Sequence, residues 1–195
     1  MIRTALTIAV ALACAGTAFA QSAPGGASQE VVQRQADQQQ RIENGLKDGS
    51  LTTREAGQLE RQQSSLDKQI ARDQKNGMTA KEASQINRRE NAMSRQIHAD
   101  RTNAARGNPN SASSQRMQAD VQRNVNQDRR MAQGVKNGQL SNKEVAGLER
   151  GQAHVDHAEA RAAANGHVGA REQAHIQRTE NHQSGNIHRD RNNAS

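Results

Sequence analysis

Four related stretches decide the fold: GSLTTREAGQL (49–59), NGMTAKEASQI (76–86), NGQLSNKEVAGL (137–148) and NGHVGAREQAHI (165–176). Each contains a glycine, an apolar residue and, further on, a glutamate, and three of the four have Thr or Ser three residues before that glutamate. Glycine easily takes the left-handed conformation that ends a helix. Ser/Thr-x-x-Glu is the capping box that begins one. Each stretch therefore predicts the end of one helix followed by the start of the next, with a weaker start in the fourth, where Gly169 replaces the hydroxyl residue.

Apolar residues follow these predicted starts in steps of seven and four. In the first half the stripe is Leu59, Leu66, Ile70, then Ile86, Met93, Ile97. This spacing gives a narrow apolar stripe, closer to a coiled-coil seam than to a broad globular face. Four polar residues fall on the same stripe, and we expect them to be partly exposed or, as the alternative, paired across the seam: Gln63, Glu90, Gln152 and Glu180. Because the turns are short, we expect an all-α protein of two duplicated antiparallel helical hairpins, forming a thin bundle or extended coiled-coil-like repeats.

An internal duplication organises the chain. Residues 41–104 align with residues 130–194 when one residue, His167, is inserted. Glycine, asparagine, proline and serine mark the stretch between the copies as a linker. The predicted segments are a signal peptide (1–20), a disordered linker (21–29), a first helical copy (30–104), a second linker (105–114) and a His-rich second copy (115–195).

The first twenty residues are typical of a secretory signal peptide. Arg3 gives a charged start, an apolar run follows, and Ala18-Phe19-Ala20 is a small-residue cleavage site. We therefore expect cleavage after Ala20 and a periplasmic or secreted protein with no transmembrane segment. The stretch Ala11-Leu12-Ala13-Cys14 also resembles a lipobox, which leaves lipidation of Cys14 as an alternative.

Composition excludes several functions. The 195 residues include 27 Lys and Arg against 20 Asp and Glu, one Cys, one Phe, and no Trp or Tyr. Because Cys14 and Phe19 both lie in the predicted signal peptide, the mature chain has no thiol chemistry and cannot stack nucleic-acid bases on aromatic rings. No catalytic motif is present, so we expect no enzyme and no nucleic-acid partner. The basic charge favours anionic surfaces.

Histidine is concentrated in the second copy. His154 and His157 lie one helical turn apart, and an antiparallel neighbouring helix would bring His175 and His182 opposite them. Four imidazoles suit Zn²⁺, Cu²⁺ or Ni²⁺. The sequence thus predicts a transition-metal site at these four residues. The alternative is that they are surface histidines with no ligand.

The stretch NGLKDGSLTTRE (44–55) resembles the second half of an EF-hand calcium loop. Asn44, Asp48 and Glu55 fall at the first, fifth and twelfth positions of such a loop. Leu46 stands at the third position, where an oxygen ligand is needed. A glycine turn followed by a capping box explains the same residues, so a calcium-binding turn and a purely structural turn are both left open.

The signal peptide, the basic Gln-rich helices and the repeats LTTRE, MTAKE, LSNKE and VGARE resemble small exported bacterial helical-repeat proteins. They are also similar to the periplasmic Spy/CpxP stress proteins, whose hairpins carry L-T-x-x-Q, although Glu replaces Gln here in all four repeats. That resemblance implies a role in envelope stress and the binding of unfolded clients or metal. We therefore expect a non-enzymatic structural or client-binding protein of the cell envelope. A periplasmic transition-metal-binding protein is the alternative and calcium binding a second one, and the oligomeric state is left open.

Overall fold

The computed structural model describes residues 24–193, which form six α-helices and no β-strand, so the all-α prediction is confirmed. The helices are α1 (Pro24–Lys47), α2 (Thr53–Asp73), α3 (Ala80–Thr102), α4 (Ala112–Lys136), α5 (Asn142–Ala162) and α6 (Ala170–Asn192). Short 3-10 turns, Gln74–Asn76 and Ala163–Asn165, extend α2 and α5. The predicted signal peptide and its cleavage site lie outside the described residues. None of the described helices combines the length and apolar character needed to cross a membrane.

The helices begin where the capping boxes predict. In α2, α3 and α5 a hydroxyl accepts a hydrogen bond from the backbone N–H of the glutamate, whose carboxylate accepts one in return; the pairs are Thr52 with Glu55, Thr79 with Glu82, and Ser141 with Glu144. Helix α6 has half of this arrangement, since only the Gly169 N–H donates to Glu172 Oε2, at 2.8 Å. The glycines before the four starts all have positive φ: Gly49, Gly77, Gly138 and Gly166.

Helix α1 overlaps the end of the predicted disordered linker at 21–29, so that prediction is wrong for residues 26–29. Helix α1 already begins at Pro24, and Ser28 is buried under the end of α2. Its hydroxyl accepts a hydrogen bond from Gln74 Nε2 at 2.7 Å. Residues 26–29 are therefore part of a packed helix, because a partner 46 residues later in the chain covers them; residues 21–23 lie outside the described part.

The linker between the copies is shorter than the predicted 105–114. Ser111 caps α4 by accepting a hydrogen bond from the Ser114 N–H at 3.1 Å, so the helix begins at Ala112. Serine is among the best N-cap residues, which explains why the helix starts inside the Ser-rich stretch. Before the cap, the linker packs on the α1–α2 turn, where the Gly107 N–H donates to Gly49 O at 3.0 Å.

The two copies interlock in one body. The hairpins α2–α3 and α5–α6 are present, but the most extensive packing joins α1 to α4 and α2 to α5. Gly57 lies against Ala163 at one end of the α2–α5 pair, and Gln74 Nε2 donates to Asn142 Oδ1 at the other end, at 2.7 Å, so these helices are antiparallel. Helices α1, α2, α4 and α5 thus form a four-helix centre, which the duplication relates by an approximate two-fold axis.

The outer helices are docked by the same contacts in both copies. Arg34 Nε of α1 lies 3.1 Å from Glu90 Oε2 of α3, and Arg123 Nε of α4 lies 3.2 Å from Glu180 Oε2 of α6. Neither carboxylate oxygen accepts a hydrogen bond in this geometry, so each contact is an ion pair only. Helices α3 and α6 therefore hold equivalent positions, parallel to α1 and α4, on opposite faces of the centre.

Apolar clusters close the two ends of the four-helix centre. One contains Ile42, Leu46, Leu59, Met117 and Val121; at the other end Val32, Met131 and Leu148 form a second, and Val31, Leu66 and Ile70 a third. The stripe residues expected to be half exposed, Gln63, Glu90, Gln152 and Glu180, are at most 2% exposed. That expectation is wrong because the stripes of α2 and α5 pack against each other, and α1 and α4 help to cover the stripes of α3 and α6.

Gly57 and Gly147 give a matched test of the packing between the copies. A Cβ at position 57 would lie 2.5 Å from Ala163 Cβ, which is fixed to the backbone and cannot turn away. At position 147 the nearest atom is Arg150 Nη2 at 3.8 Å. Gly57→Ala should therefore lower stability by about 1–3 kcal/mol. Gly147→Ala should raise it by up to about 1 kcal/mol through helix propensity. Thermal melting followed by circular dichroism measures the stability of both variants. An equal change in stability for Gly57→Ala and Gly147→Ala would contradict the interlocked arrangement.

Two buried glutamates should make the protein more stable in acid than near neutral pH. Burial raises the pKa of Glu90 to about 7 and of Glu180 to about 8, although Arg34 and Arg123 act in the opposite direction. The folded state thus keeps protons that the unfolded chain releases near pH 4.5. Stability is full below that pH and falls until pH 7 to 8. For Glu90 the loss is roughly 3 kcal/mol.

Urea unfolding at pH 4.5 and pH 7.5, in the presence of EDTA, measures this loss. In the Glu90→Gln/Glu180→Gln variant the difference between the two pH values should shrink by at least roughly 3 kcal/mol, since the amides do not titrate. Asp37→Asn, an exposed position on α1, is the control and should leave the difference unchanged. An unchanged difference in the double variant would show that these two groups do not carry the pH dependence.

Candidate functional site

A groove with a volume of about 910 Å³ lies between α5 and α6 on the outside of the second copy. Its walls carry four histidines and three arginines: His154, His157, His175, His182, Arg150, Arg161 and Arg171. One acidic residue, Glu172, also lines it, and its carboxylate already accepts the Gly169 N–H at the start of α6. We call this feature the α5–α6 groove.

Large side chains fill the equivalent space in the first copy. There Arg89 of α3 lies across α2, donating from Nη1 to Gln69 Oε1 at 2.7 Å and from Nη2 to Ser65 Oγ at 2.9 Å. The repeat-equivalent residues in the second copy are Thr179, Ala158 and His154, respectively. The long arginine and its glutamine partner are thus absent from the second copy, and the space between the helices stays open.

Two further replacements deepen the α5–α6 groove. Gln58 and Gln62 of α2 correspond to Gly147 and Gly151 of α5, so the floor of the groove has almost no side chains of its own. Gln183 of α6 occupies part of that room, because a Cβ at Gly151 would lie 1.8 Å from Gln183 Oε1. The groove is therefore open because the second copy has small residues where the first copy has large ones.

The electrostatic environment of the groove is positive. Burial, followed by the charges of Lys68, Arg161, Arg61 and His154, lowers the pKa of His157. A depressed imidazole pKa is the response expected when neighbouring cations oppose a further positive charge. The α5–α6 groove is therefore suited electrostatically to anionic groups.

The four histidines singled out from the sequence lie along one groove, but they do not form a compact coordination sphere. All four are exposed. Among the described residues, no three of these imidazoles have ring nitrogens within 4.8 Å of one another. His182 Nδ1 instead lies 3.3 Å from Asn186 Nδ2 on its own helix. In this arrangement the histidines line the groove with exposed imidazole rings, but they do not enclose an ion.

The residues of the EF-hand-like turn have partners within the protein. Asp48 Oδ2 accepts a hydrogen bond from Arg101 Nη2 at 2.7 Å. Glu55 accepts from the cap of α2 and, through Oε1, from Asn103 Nδ2 at 2.7 Å. Asn44 Oδ1 accepts from Gln40 Nε2 at 3.2 Å. The oxygens that calcium would need are thus used to fix the α1–α2 turn against the end of α3.

A second feature, which the sequence reasoning missed, lies in the middle of the four-helix centre. Six carboxyl groups are buried there, none more than 4% exposed: Glu60, Asp67, Asp128, Glu149, Asp156 and Glu159. We call them the central carboxyl cluster. None of the ion pairs in the described part of the chain includes any of the six. The cluster therefore has no balancing cationic side chain in direct contact.

Burial controls the protonation of the cluster. It raises the pKa of Glu60 to about 8 and of Asp67 to about 6. The pKa values of the other four lie well above the usual range, because burial and the neighbouring carboxyls both disfavour the charged form. Since Asp67 and Asp156 are repeat-equivalent and lie against each other, the cluster lies on the approximate two-fold axis.

Three carboxylates of the cluster approach closely. Oxygens of Glu60, Asp156 and Glu159 lie within 4.8 Å of one another, and no other set of three His, Cys, Asp or Glu side chains in residues 24–193 does so. Part of this cluster could be recognised in the sequence, because some of its acidic residues occur in both copies. Glutamate at 60 and 149, and aspartate at 67 and 156, occur in both copies beside the apolar stripe. Acidic residues that occur at equivalent positions of both copies, on the side that faces the core, indicate that they are buried in both copies.

Comparisons of the chain with protein-family models, with curated proteins and with solved structures found no match. Two features of the structure itself bear on function, namely the α5–α6 groove and the central carboxyl cluster. They share no residue and lie on different sides of α5.

Proposed function

We propose that this protein is a non-enzymatic, exported helical protein of the cell envelope that binds acidic, extended polypeptide segments in the α5–α6 groove. The observation that supports this best is the lining of the groove, which contains three arginines and four histidines but only one glutamate. Export follows from the predicted signal peptide, and the client-binding role extends the expectation drawn from the sequence.

The length of the groove suits a short stretch of polypeptide. Its lining on α5 runs from Gly147 to Arg161, and on α6 from Arg171 to Asn186. At 1.5 Å per residue, each wall is about 21–23 Å long. An extended chain rises about 3.3 Å per residue, so about six residues would lie along the groove. A metal ion or a small anion would fill only a fraction of this space.

The arginines determine which side chains such a segment would carry. A guanidinium keeps its charge at all relevant pH values and offers paired donors that match a carboxylate. Arg150 and Arg161 belong to one wall and Arg171 to the other, so acidic side chains on both sides of an extended segment find partners. The net charge of +7 adds long-range attraction for acidic clients.

Transition-metal binding at His154, His157, His175 and His182 is the second candidate, because all four line the same groove. Binding a metal there would require the exposed imidazoles to rotate toward one another. It would also place a dication among three arginines, which repel it. The geometry therefore favours the anionic ligand.

Fluorescence anisotropy with a labelled hexaglutamate peptide tests the proposed function. Arg171→Ala should weaken binding about tenfold, the loss expected for one charge-assisted contact of about 1.4 kcal/mol. The matched control is Lys81→Ala, since Lys81 is the repeat-equivalent residue in the first copy, where the groove is filled. Binding should also weaken with added salt.

A groove-filling variant separates the groove from general surface charge. The triple change His154→Ser, Ala158→Gln and Thr179→Arg copies the first-copy residues into the second copy, and should abolish peptide binding although it leaves the net charge higher. Equal binding by this variant, or equal binding of hexalysine by the native protein, would refute the proposal. Zn²⁺ binding tighter than about 100 μM that His154→Ala/His157→Ala removes would favour the second candidate.

A further inference from the structure

We propose that the central carboxyl cluster holds one divalent cation of the size of Ca²⁺ or Mn²⁺, bound by Glu60 of α2 and by Asp156 and Glu159 of α5. This site is independent of the α5–α6 groove, with which it shares no residue. It also differs from the EF-hand-like turn and from the histidine set that the sequence suggested.

The spacing of the oxygens fits an ion of this size. Ligand oxygens of the three residues lie within 4.8 Å of one another. Ca²⁺ binds oxygen at 2.3–2.6 Å, so ligands at right angles on one ion are about 3.3–3.7 Å apart and opposite ligands about 4.6–5.2 Å apart, and oxygens within 4.8 Å of one another can share it. All donors are oxygens, which hard cations prefer, whereas Zn²⁺ and Cu²⁺ favour nitrogen and sulfur. Mg²⁺ fits less well because it keeps several waters, for which a fully buried site leaves little room.

Two buried amides point into the same place and supply the independent observation. Asn124 of α4 donates from Nδ2 to both oxygens of Glu159, at 3.0 and 2.9 Å, and lies 3.4 Å from Asp156 Oδ1. Gln39 of α1 donates from Nε2 to Glu60 Oε2 at 2.8 Å. Both residues are at most 1% exposed, and Asn124 Oδ1 and Gln39 Oε1 have no hydrogen-bond partner.

These amide oxygens complete a coordination shell. A half turn of the Asn124 amide exchanges its nitrogen and oxygen, which have nearly the same shape, and places the oxygen against Glu159 and Asp156. The same rotation at Gln39 turns an oxygen toward Glu60. Three carboxylates and two amide oxygens then provide at least five donors from all four central helices, and bidentate binding by one carboxylate gives the six or more that Ca²⁺ takes.

The balance of donors and acceptors also points to a cation. Every buried side-chain atom without a hydrogen-bond partner in the described part of the chain is an oxygen. The core thus lacks positive charge and donors, and has acceptors in excess. A buried carboxylate without a counter-charge is strongly unfavourable. A cation at Glu60, Asp156 and Glu159 supplies the missing charge where the oxygens are closest.

The duplication predicts a stoichiometry of one ion per chain. The residues equivalent to Glu60, Asp156 and Glu159 across the two-fold axis are Glu149, Asp67 and Ile70. Asp128, which stands where the first copy has Gln39, adds a carboxyl to that half, but no three ligand atoms there lie within 4.8 Å of one another in the described part of the chain, so only Glu60, Asp156 and Glu159 are close enough to share an ion.

Refolding the full-length protein with and without metal tests this site. The protein is unfolded in guanidinium with EDTA and refolded without metal, or with 1 mM Ca²⁺ or Mn²⁺, so that slow entry into the closed core cannot hide binding. We expect one ion retained per chain by atomic emission after desalting, a bound Mn²⁺ signal in electron paramagnetic resonance, and a melting temperature higher by on the order of 5 °C.

Three substitutions should abolish retention of the ion: Glu60→Gln, Asp156→Asn and Glu159→Ile, the last of which copies the first-copy residue. The two amide variants remove mutual repulsion between carboxylates, so without metal they should melt no lower than the native protein. Glu149→Gln is the matched control and should retain the ion. The inference is overturned if no ion is retained and melting is unchanged by Ca²⁺ and Mn²⁺, if two ions bind per chain, or if Asp156→Asn binds as well as the native protein.

Discussion

The charge state of the central carboxyl cluster is the constraint on which the rest of the structure depends. Its six carboxyls lie between the apolar clusters at the two ends of the four-helix centre. None of the six has an ion-pair partner in the described part of the chain. Two like charges 5 Å apart repel by about 3 kcal/mol at an effective dielectric constant near 20. The summed free energy of several such repulsions would equal the whole free energy of unfolding of an ordinary domain. The folded state therefore requires that protons or a cation neutralise the cluster, and raised pKa values are the expression of this requirement in the absence of metal.

The two copies share the ion pairs that dock their outer helices but differ in the faces that they turn outward. The ion pair that docks the outer helix within each copy is the same in both: Arg34 with Glu90 repeats as Arg123 with Glu180. On the outside, Arg89 fills the first copy whereas Thr179 leaves the second open. At the axis, equivalent residues such as Asp67 and Asp156 lie against each other, so a change in one copy alters the contacts of the other. Outer faces touch no equivalent face, so one copy could gain a groove while the other kept its filled surface.

Local features of this fold were predictable from the sequence, and interactions between the copies were not. Gly77 and the Thr79–Glu82 pair mark a helix boundary because the atoms concerned lie within a few residues. The burial of Glu90 depends on helices outside its own hairpin, so its position on a stripe could not decide between exposure and burial. Gln39, Glu60 and Asp156 come from three different helices, and only the interlocking of α1 and α2 with α5 brings them together. The histidines were found by their uneven distribution, but the arginines and glycines that shape the groove stand out only when the two copies are compared in space.

The polar centre also fixes how the copies fit together. With similar apolar clusters at both ends, an all-apolar centre would allow α2 to slide along α5 by a helical turn at little cost. The amide–carboxylate pairs remove that freedom: Gln35 donates to Asp67 at 2.7 Å and to Glu149 at 3.1 Å, contacts that join three helices in one register. A shift by one turn would leave buried carboxyls and amides unpaired, at about 1–3 kcal/mol for each group. We infer that the buried carboxyls, which cost stability, provide the register that a thin and sparse apolar stripe cannot define alone.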